Sequence, residues 1–244
     1  PERIKLVLKK RSIDARSRQV KIRIFVDAYV DEPVPPPTDF SLLFDFNKDV
    51  SQAIPIIVVG FGPAGMFAAL RLIELGYKPI VLERGKDVRA RRRDLAILNK
   101  QGEVDPDSNY CFGEGGAGTY SDGKLYTRSG KRGDINRILS LLVVHGADPA
   151  ILIDAHPHIG TNKLPKIVQQ LRETIIKCGG EVHFETKLTD LIIQNDRVVG
   201  ARALALNTKT TNEFIASSVI LATGHSARDI YELLDRKNIS IEAK

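Results

Sequence analysis

A chain of 244 residues with 43% hydrophobic side chains is long enough to bury one large core or two modest ones. It holds no run of about 18 apolar residues and no charged-then-apolar leader, which argues against membrane insertion and export and makes the cytoplasm the expected compartment. Two cysteines, Cys111 and Cys178, stand in neither a metal-ligand nor a C-x-x-C spacing, so no metal centre is expected, and the net charge of +6 suits a pyrophosphate-bearing ligand as well as a polyanion.

The chain opens on Pro1-Glu2 without a methionine and stops at Lys244 soon after a motif, which reads as a fragment of a longer protein. Residues 4 to 10 and 20 to 30 alternate apolar and polar, the period-two pattern of half-buried strands. Pro33, Pro35, Pro36 and Pro37 then end the sheet, because proline donates no ladder hydrogen bond. The expected organisation is a small N-terminal α+β unit with its proline linker over 1–38, then a nucleotide-binding domain over 39–244 that is incomplete at its C-terminus.

From about residue 53 the pattern becomes strand, glycine turn, amphipathic helix and strand, a βαβ unit. Residues 54 to 59 are apolar throughout, as in a parallel strand buried on both faces. Met66, Ala69, Leu70 and Ile73 mark a helix over 63–75 capped by Gly76, and residues 79 to 82 form the next strand. Further on, Leu164 to Lys177 reads as a helix with Pro165 in its first turn and Gly179-Gly180 at its end, followed by a strand over 181–188. Residues 190 to 206 and 213 to 221 alternate like short antiparallel strands with polar turns at Asn195-Asp196 and at Asn207 to Asn212.

Chemistry concentrates in three stretches. Gly60-Phe61-Gly62-Pro63-Ala64-Gly65 follows a buried strand and opens a helix. Its first glycine permits the turn, the second admits a pyrophosphate to the backbone, the third packs helix on strand, and the helix N-terminal amides face the phosphates. Glu83, eighteen residues after Gly65, closes the second strand, where a carboxylate accepts from an adenosine ribose and repels a 2′-phosphate. Arg84 beside it and Leu188 at the end of the later strand complete that end of the site. The second stretch runs from Phe112 to Lys124 and holds Gly113, Gly115, Gly116, Ala117, Gly118, Thr119 and Ser121. Small residues there let amides reach a planar ring or an anion, and Gly115, Gly116, Ala117, Gly118 and Thr119 are taken as cofactor contacts. The third is the apolar strand from Val219 that ends in Ala222-Thr223-Gly224.

This order of crossover, meander and Thr-Gly strand end resembles the glutathione-reductase-like flavoproteins, in which such a strand returns near the FAD. Together with Arg11-Ser12-Ile13-Asp14-Ala15-Arg16, the two glycine stretches resemble a family of uncharacterised bacterial FAD-dependent dehydrogenases. The resemblance implies a Rossmann-like α/β fold, FAD as cofactor with NAD(P)H as a possible electron donor, hydride transfer through the flavin, and further sequence that completes the site.

Glutathione-reductase-like flavoproteins often place a cofactor arginine after the second strand, which among Arg89, Arg91, Arg92 and Arg93 favours Arg92 or Arg93. His225 is the best placed histidine for proton transfer and Cys111 stands beside the glycine run, but no catalytic residue is assigned. Disulfide reduction is disfavoured, since no cysteine pair lies near the first helix. Two other readings compete with the oxidoreductase. Lys9, Lys10, Arg11, Arg16, Arg18, Lys21 and Arg23 suggest an RNA-binding or RNA-modifying flavoprotein, and the nucleotide fold alone would serve an NAD-binding or non-catalytic scaffold. The small-molecule substrate and the oligomeric state are not specified by the sequence.

Overall fold

The structure is a computed structural model that describes residues 3–125 and 133–242. The chain divides into two compact units, residues 1–44 with 121–167, and residues 45–120 with 168–244.

In the first unit, β1 (Ile4–Asp14) and β2 (Lys21–Val30) form an antiparallel hairpin whose register shifts between Leu8 and Lys10. β1 therefore runs four residues further than the sequence pattern suggests, through Arg11 and Ser12. Arg11 anchors it by donating to both carboxylate oxygens of Asp154 at 2.8 and 3.0 Å. The strands are not half-buried as expected: Leu6, Ile13, Ile22 and Ile24 all stand more than half exposed. A two-stranded ribbon alone buries little apolar surface. α3 (Ile135–Val144) starts at Asp134, whose side chain accepts from the Arg137 amide, and buries Leu139, Leu141 and Leu142.

The second unit holds a four-stranded parallel sheet in the order β5-β4-β3-β9. β3 (Pro55–Val59) lies between β4 (Lys78–Leu82) and β9 (Ser218–Leu221), and β5 (Glu181–His183) extends the β4 edge. Ile57 and Val58 are fully buried, as a central strand requires. α1 (Pro63–Glu74) joins β3 to β4 and buries Met66, Ala69, Leu70 and Ile73, each at most 2% exposed. α2 (Val88–Gln101) begins at an Asp87 cap and ends at Gly102 with φ +74°. α4 (Leu164–Lys177) brings Leu171 and Ile175 to the core.

A separate antiparallel meander comprises β6 (Thr186–Gln194), β7 (Arg197–Ala205) and β8 (Thr211–Ile215). Asn195 and Asp196 carry φ values of 50° and 57°, the backbone of a two-residue hairpin turn. The single strand expected over 181–188 is two strands of two different sheets, broken at Glu185 with φ 50°. Likewise 213–221 divides into the end of β8 and all of β9. Ile57, Val59, Ile80 and Leu82 of the parallel sheet share one core with Leu188, Leu191, Ala201 and Ala203 of the meander and with Ile230 and Leu233 of α5 (Arg228–Arg236). Each of the buried Ile, Leu and Val side chains contributes roughly 1.5–3 kcal/mol by leaving water.

Candidate functional site: a dinucleotide cleft

Parallel pairing sets Val59, Leu82 and Leu221 side by side at the carboxyl ends of their strands. The residues that follow, Gly60, Glu83 and Ala222, are thus delivered to one edge of the sheet, where α/β sheets take their ligands. They line a cleft of about 500 Å³ within the second unit.

The first glycine turn is built by contact. A Cβ on Gly60, at φ +96°, would lie 2.6 Å from the Ala222 oxygen, and one on Gly65 would lie 1.9 Å from the Gly60 oxygen. Gly62 differs: a Cβ there would meet only the Gly116 Cα, at 3.8 Å, so its neighbourhood is open. Gly62 is the N-cap of α1 and Pro63 its first residue, which leaves the first-turn amides pointing out of the helix. Gly62, Pro63 and Ala64 line the cleft, whereas Gly65 lies behind them.

Glu83 is 4% exposed and lines the cleft. Its Oε2 accepts from Phe61 N at 2.7 Å, and its Oε1 from Gly85 N at 2.8 Å and Gly113 N at 3.0 Å. One carboxylate therefore joins the β3–α1 turn, the end of β4 and the second glycine run. A carboxylate has about four acceptor sites, so three amides leave about one for a ligand hydroxyl. Arg84 also lines the cleft. It forms an ion pair with Asp229 of α5 at 2.7 Å and stands 4.4 Å from the centre of the Phe112 ring.

The second glycine run packs on the first. Gly115 N donates to Phe61 O at 2.8 Å, and a Cβ on Gly116, at φ +67°, would lie 3.2 Å from the Gly62 Cα. Gly116 and Ala117 line the cleft. Gly115, Gly118 and Thr119 do not; Thr119 is 1% exposed and donates its hydroxyl to Glu114 O at 3.1 Å. Leu188, Ala222, Thr223 and Gly224 line the cleft, with His225 beyond them and Cys111 exposed on the opposite loop.

Arg92 and Arg93 are exposed and do not line the cleft. The arginine that points inward is Arg91, at 0% exposure, which donates to five carbonyls of residues 109–116. Helical spacing gives the signal: Val88, Arg91 and Leu95 share one buried face of α2. Burial lowers the Arg91 pKa, against the raising influence of Glu83, Tyr120, Cys111 and Glu114, and the guanidinium stays charged.

Sequence reasoning passed over two further features. Ile230, Tyr231 and Leu234 of α5 line the cleft, and their i, i+1, i+4 spacing is legible once 228–236 is read as a helix. Glu114, within the glycine run, is fully buried. Its Oε2 accepts from Val88 N at 2.8 Å and from Arg172 at 3.1 Å, while Oε1 has no partner among the described residues. Burial pushes its carboxyl up to about 7, with Asp87 and Glu83 adding to the rise and Val88 N–H and Arg172 opposing it. The other four histidines do not line the cleft: His145, His156 and His158 belong to the first unit, with His145 buried and its Nδ1 2.7 Å from Leu141 O, and His183 ends β5 with its Nε2 2.8 Å from a Glu181 carboxylate oxygen.

The FAD binding domain family matches residues 116–239, just over half of the sequence. The chain belongs to that family. Its cofactor is FAD. The family match starts inside the second glycine run and takes in the meander and the Thr-Gly strand end; the first glycine turn lies before it and is brought to the same cleft by the fold. A protein of Clostridium beijerinckii described as uncharacterized is 38% identical over 96% of this chain, and the chain spans 45% of that relative's length. The digeranylgeranylglycerophospholipid reductase of Methanosarcina acetivorans is 26% identical over 62% of the chain and 33% of its own length. Among solved structures, the glycerol-3-phosphate dehydrogenase from Bacillus halodurans complexed with FAD aligns over 75% of this chain and 36% of its own, at 15% identity and a TM-score of 0.48. No described helix of this FAD-binding protein is long and apolar enough to cross a membrane.

Proposed function

We propose that the protein is an FAD-dependent oxidoreductase of the bacterial dehydrogenase type, cytoplasmic and acting on a small molecule, with NADH or NADPH as its reductant. The observation that carries this reading is the packing of Gly62 on Gly116 in the lining of a cleft that the Ala222-Thr223-Gly224 strand end also lines. When bound, FAD supplies a ring that takes up or gives out a hydride. The chain's own residues bind and orient it. The first-turn amides of α1 hold the pyrophosphate, and the remaining acceptor site of Glu83 takes a ribose hydroxyl. Leu188, Ile230 and Leu234 exclude water from one end, and Arg84 ties that end to α5 through Asp229.

The basic N-terminal strands give no support to an RNA reading. Lys9, Arg11, Arg16 and Arg23 are held in ion pairs by Asp27, Asp154 and Asp14.

The test is a titration of the full-length protein with FAD, followed by anaerobic addition of NADH or NADPH and an artificial acceptor. The expected result is a flavin spectrum that bleaches with the reductant and returns with the acceptor, at a turnover well above free FAD. A colourless protein that leaves added FAD unchanged, or a bound flavin inert to reductant and acceptor alike, would overturn the reading.

A further inference from the structure

Arg91 does not itself line the cleft, yet its five hydrogen bonds among the described residues all go to the loop that forms one wall of it. Nε donates to Asn109 O at 2.9 Å and Nη2 to Tyr110 O at 3.1 Å. Nη1 reaches Gly113 O at 3.3 Å and the Glu114 and Gly116 oxygens at 2.8 Å each. Among the described residues no carboxylate bonds directly to this guanidinium; Glu83 and Glu114 favour its charge from a distance, and its hydrogen bonds go to carbonyls, which makes their arrangement costly to lose. The stem is as closely fitted as the head: a Cβ on Gly113 would lie 2.4 Å from Arg91 Cδ.

Residues 109–116 belong to no strand or long helix that would hold them otherwise. Carbonyls gathered onto Arg91 are turned inward, and an anion in the cleft is spared their negative ends. The same gathering sets Gly116 against Gly62 and lets Gly115 N reach Phe61 O.

We propose that Arg91 is a positioning residue for the cofactor: it draws residues 109–116 into the wall facing the first glycine turn, and FAD is retained only while it does so. The proposal rests on the cofactor reading above. Lysine does not replace it, since an ammonium is a point of three donors and the five carbonyls are spread over the plane of a guanidinium.

Two measurements on the full-length protein test this, one without cofactor. In the cofactor-free protein, Arg91→Lys is expected to raise hydrogen exchange at the Glu114, Gly115 and Gly116 amides about tenfold or more while β3 and β4 amides keep their protection. FAD affinity is expected to fall by about tenfold or more. In Arg91→Ala, methylguanidinium at millimolar concentration is expected to restore FAD binding and methylammonium to leave it unchanged. Should both variants fail to fold, Gly113→Ala, which displaces the Arg91 stem, is expected to show the same exchange pattern. Unchanged loop exchange with FAD affinity within about twofold of wild type in the folded variants would overturn the proposal and leave the cofactor reading standing. A wild-type protein that binds no FAD while Arg91→Lys still frees the loop would overturn the cofactor reading and reduce Arg91 to a loop anchor.

Discussion

The two glycine turns of the cleft are made in opposite ways. Residues 60–65 sit between a buried strand and a helix, and Gly60 and Gly65 answer to the neighbouring strand and to backbone a few residues away. Residues 113–118 have no regular element on either side. They are held by side chains from elsewhere: Glu83 at the end of β4, Arg91 in α2 and, through Glu114, Arg172 in α4. The first turn is encoded locally and the second by long-range polar contacts, so they are expected to break differently.

The largest effect is expected in the first turn. Gly65→Ala places a Cβ 1.9 Å from the Gly60 oxygen, where only backbone movement relieves the clash. Urea unfolding is expected to show a loss of about 4 kcal/mol or no folded protein at all. Gly62→Ala sharpens the contrast, because its Cβ meets nothing closer than 3.8 Å. That variant is expected to unfold at nearly the wild-type urea concentration and to bind FAD about tenfold more weakly. Equal destabilisation by the two substitutions would show that the turn does not separate packing from ligand approach.

Glu83→Ala comes next, since it removes the group that joins both turns. Three buried N–H donors, of Phe61, Gly85 and Gly113, lose their acceptor. At roughly 1–3 kcal/mol for each buried donor left unsatisfied, and with partial relaxation, the expected loss is about 3 kcal/mol by urea unfolding. A loss under about 1 kcal/mol would mean that water reaches these amides and that Glu83 serves the ligand alone.

The same division explains how much was legible beforehand. The first turn, α1, β3 and the Asn195-Asp196 hairpin depend on neighbours in sequence, so glycine spacing and apolar periodicity reveal them. The break at Glu185 was hidden because Glu181–His183 and Thr186–Gln194 are both good strands and only tertiary pairing sends them to different sheets. Arg92 and Arg93 were favoured over Arg91 because a run of arginines carries no polarity of its own. The deciding cue is the flanking pair Val88 and Leu95, which turns the Arg91 face inward. α5 was missed for a related reason: its apolar face is short, and the core it covers is assembled from strands far away in sequence.

The smallest expected effect separates the two buried carboxylates. Glu83 has partners for both oxygens, whereas Glu114 Oε1 has none among the described residues and the side chain is fully buried, and its carboxyl is pushed up to about 7 from the ordinary 4.5. In the unfolded chain the proton leaves near 4.5, and in the folded protein near 7. Between those values the folded state holds the extra proton, so this contribution to stability is complete below pH 4.5 and is lost as the pH rises through about 7. Glu114→Gln keeps an oxygen for Val88 N–H and removes the titration. Its melting temperature is expected to vary less between pH 5 and pH 8 than that of the wild type, by an amount that corresponds to about 2 kcal/mol. The wild-type carboxylate attracts Arg172 only where it is ionised, an effect already contained in its shifted titration, so the slope and not the height is the readout. Parallel curves for the two proteins would show that Glu114 is ionised in the folded protein across this range, and that the second glycine run is closed by a full ion pair with Arg172.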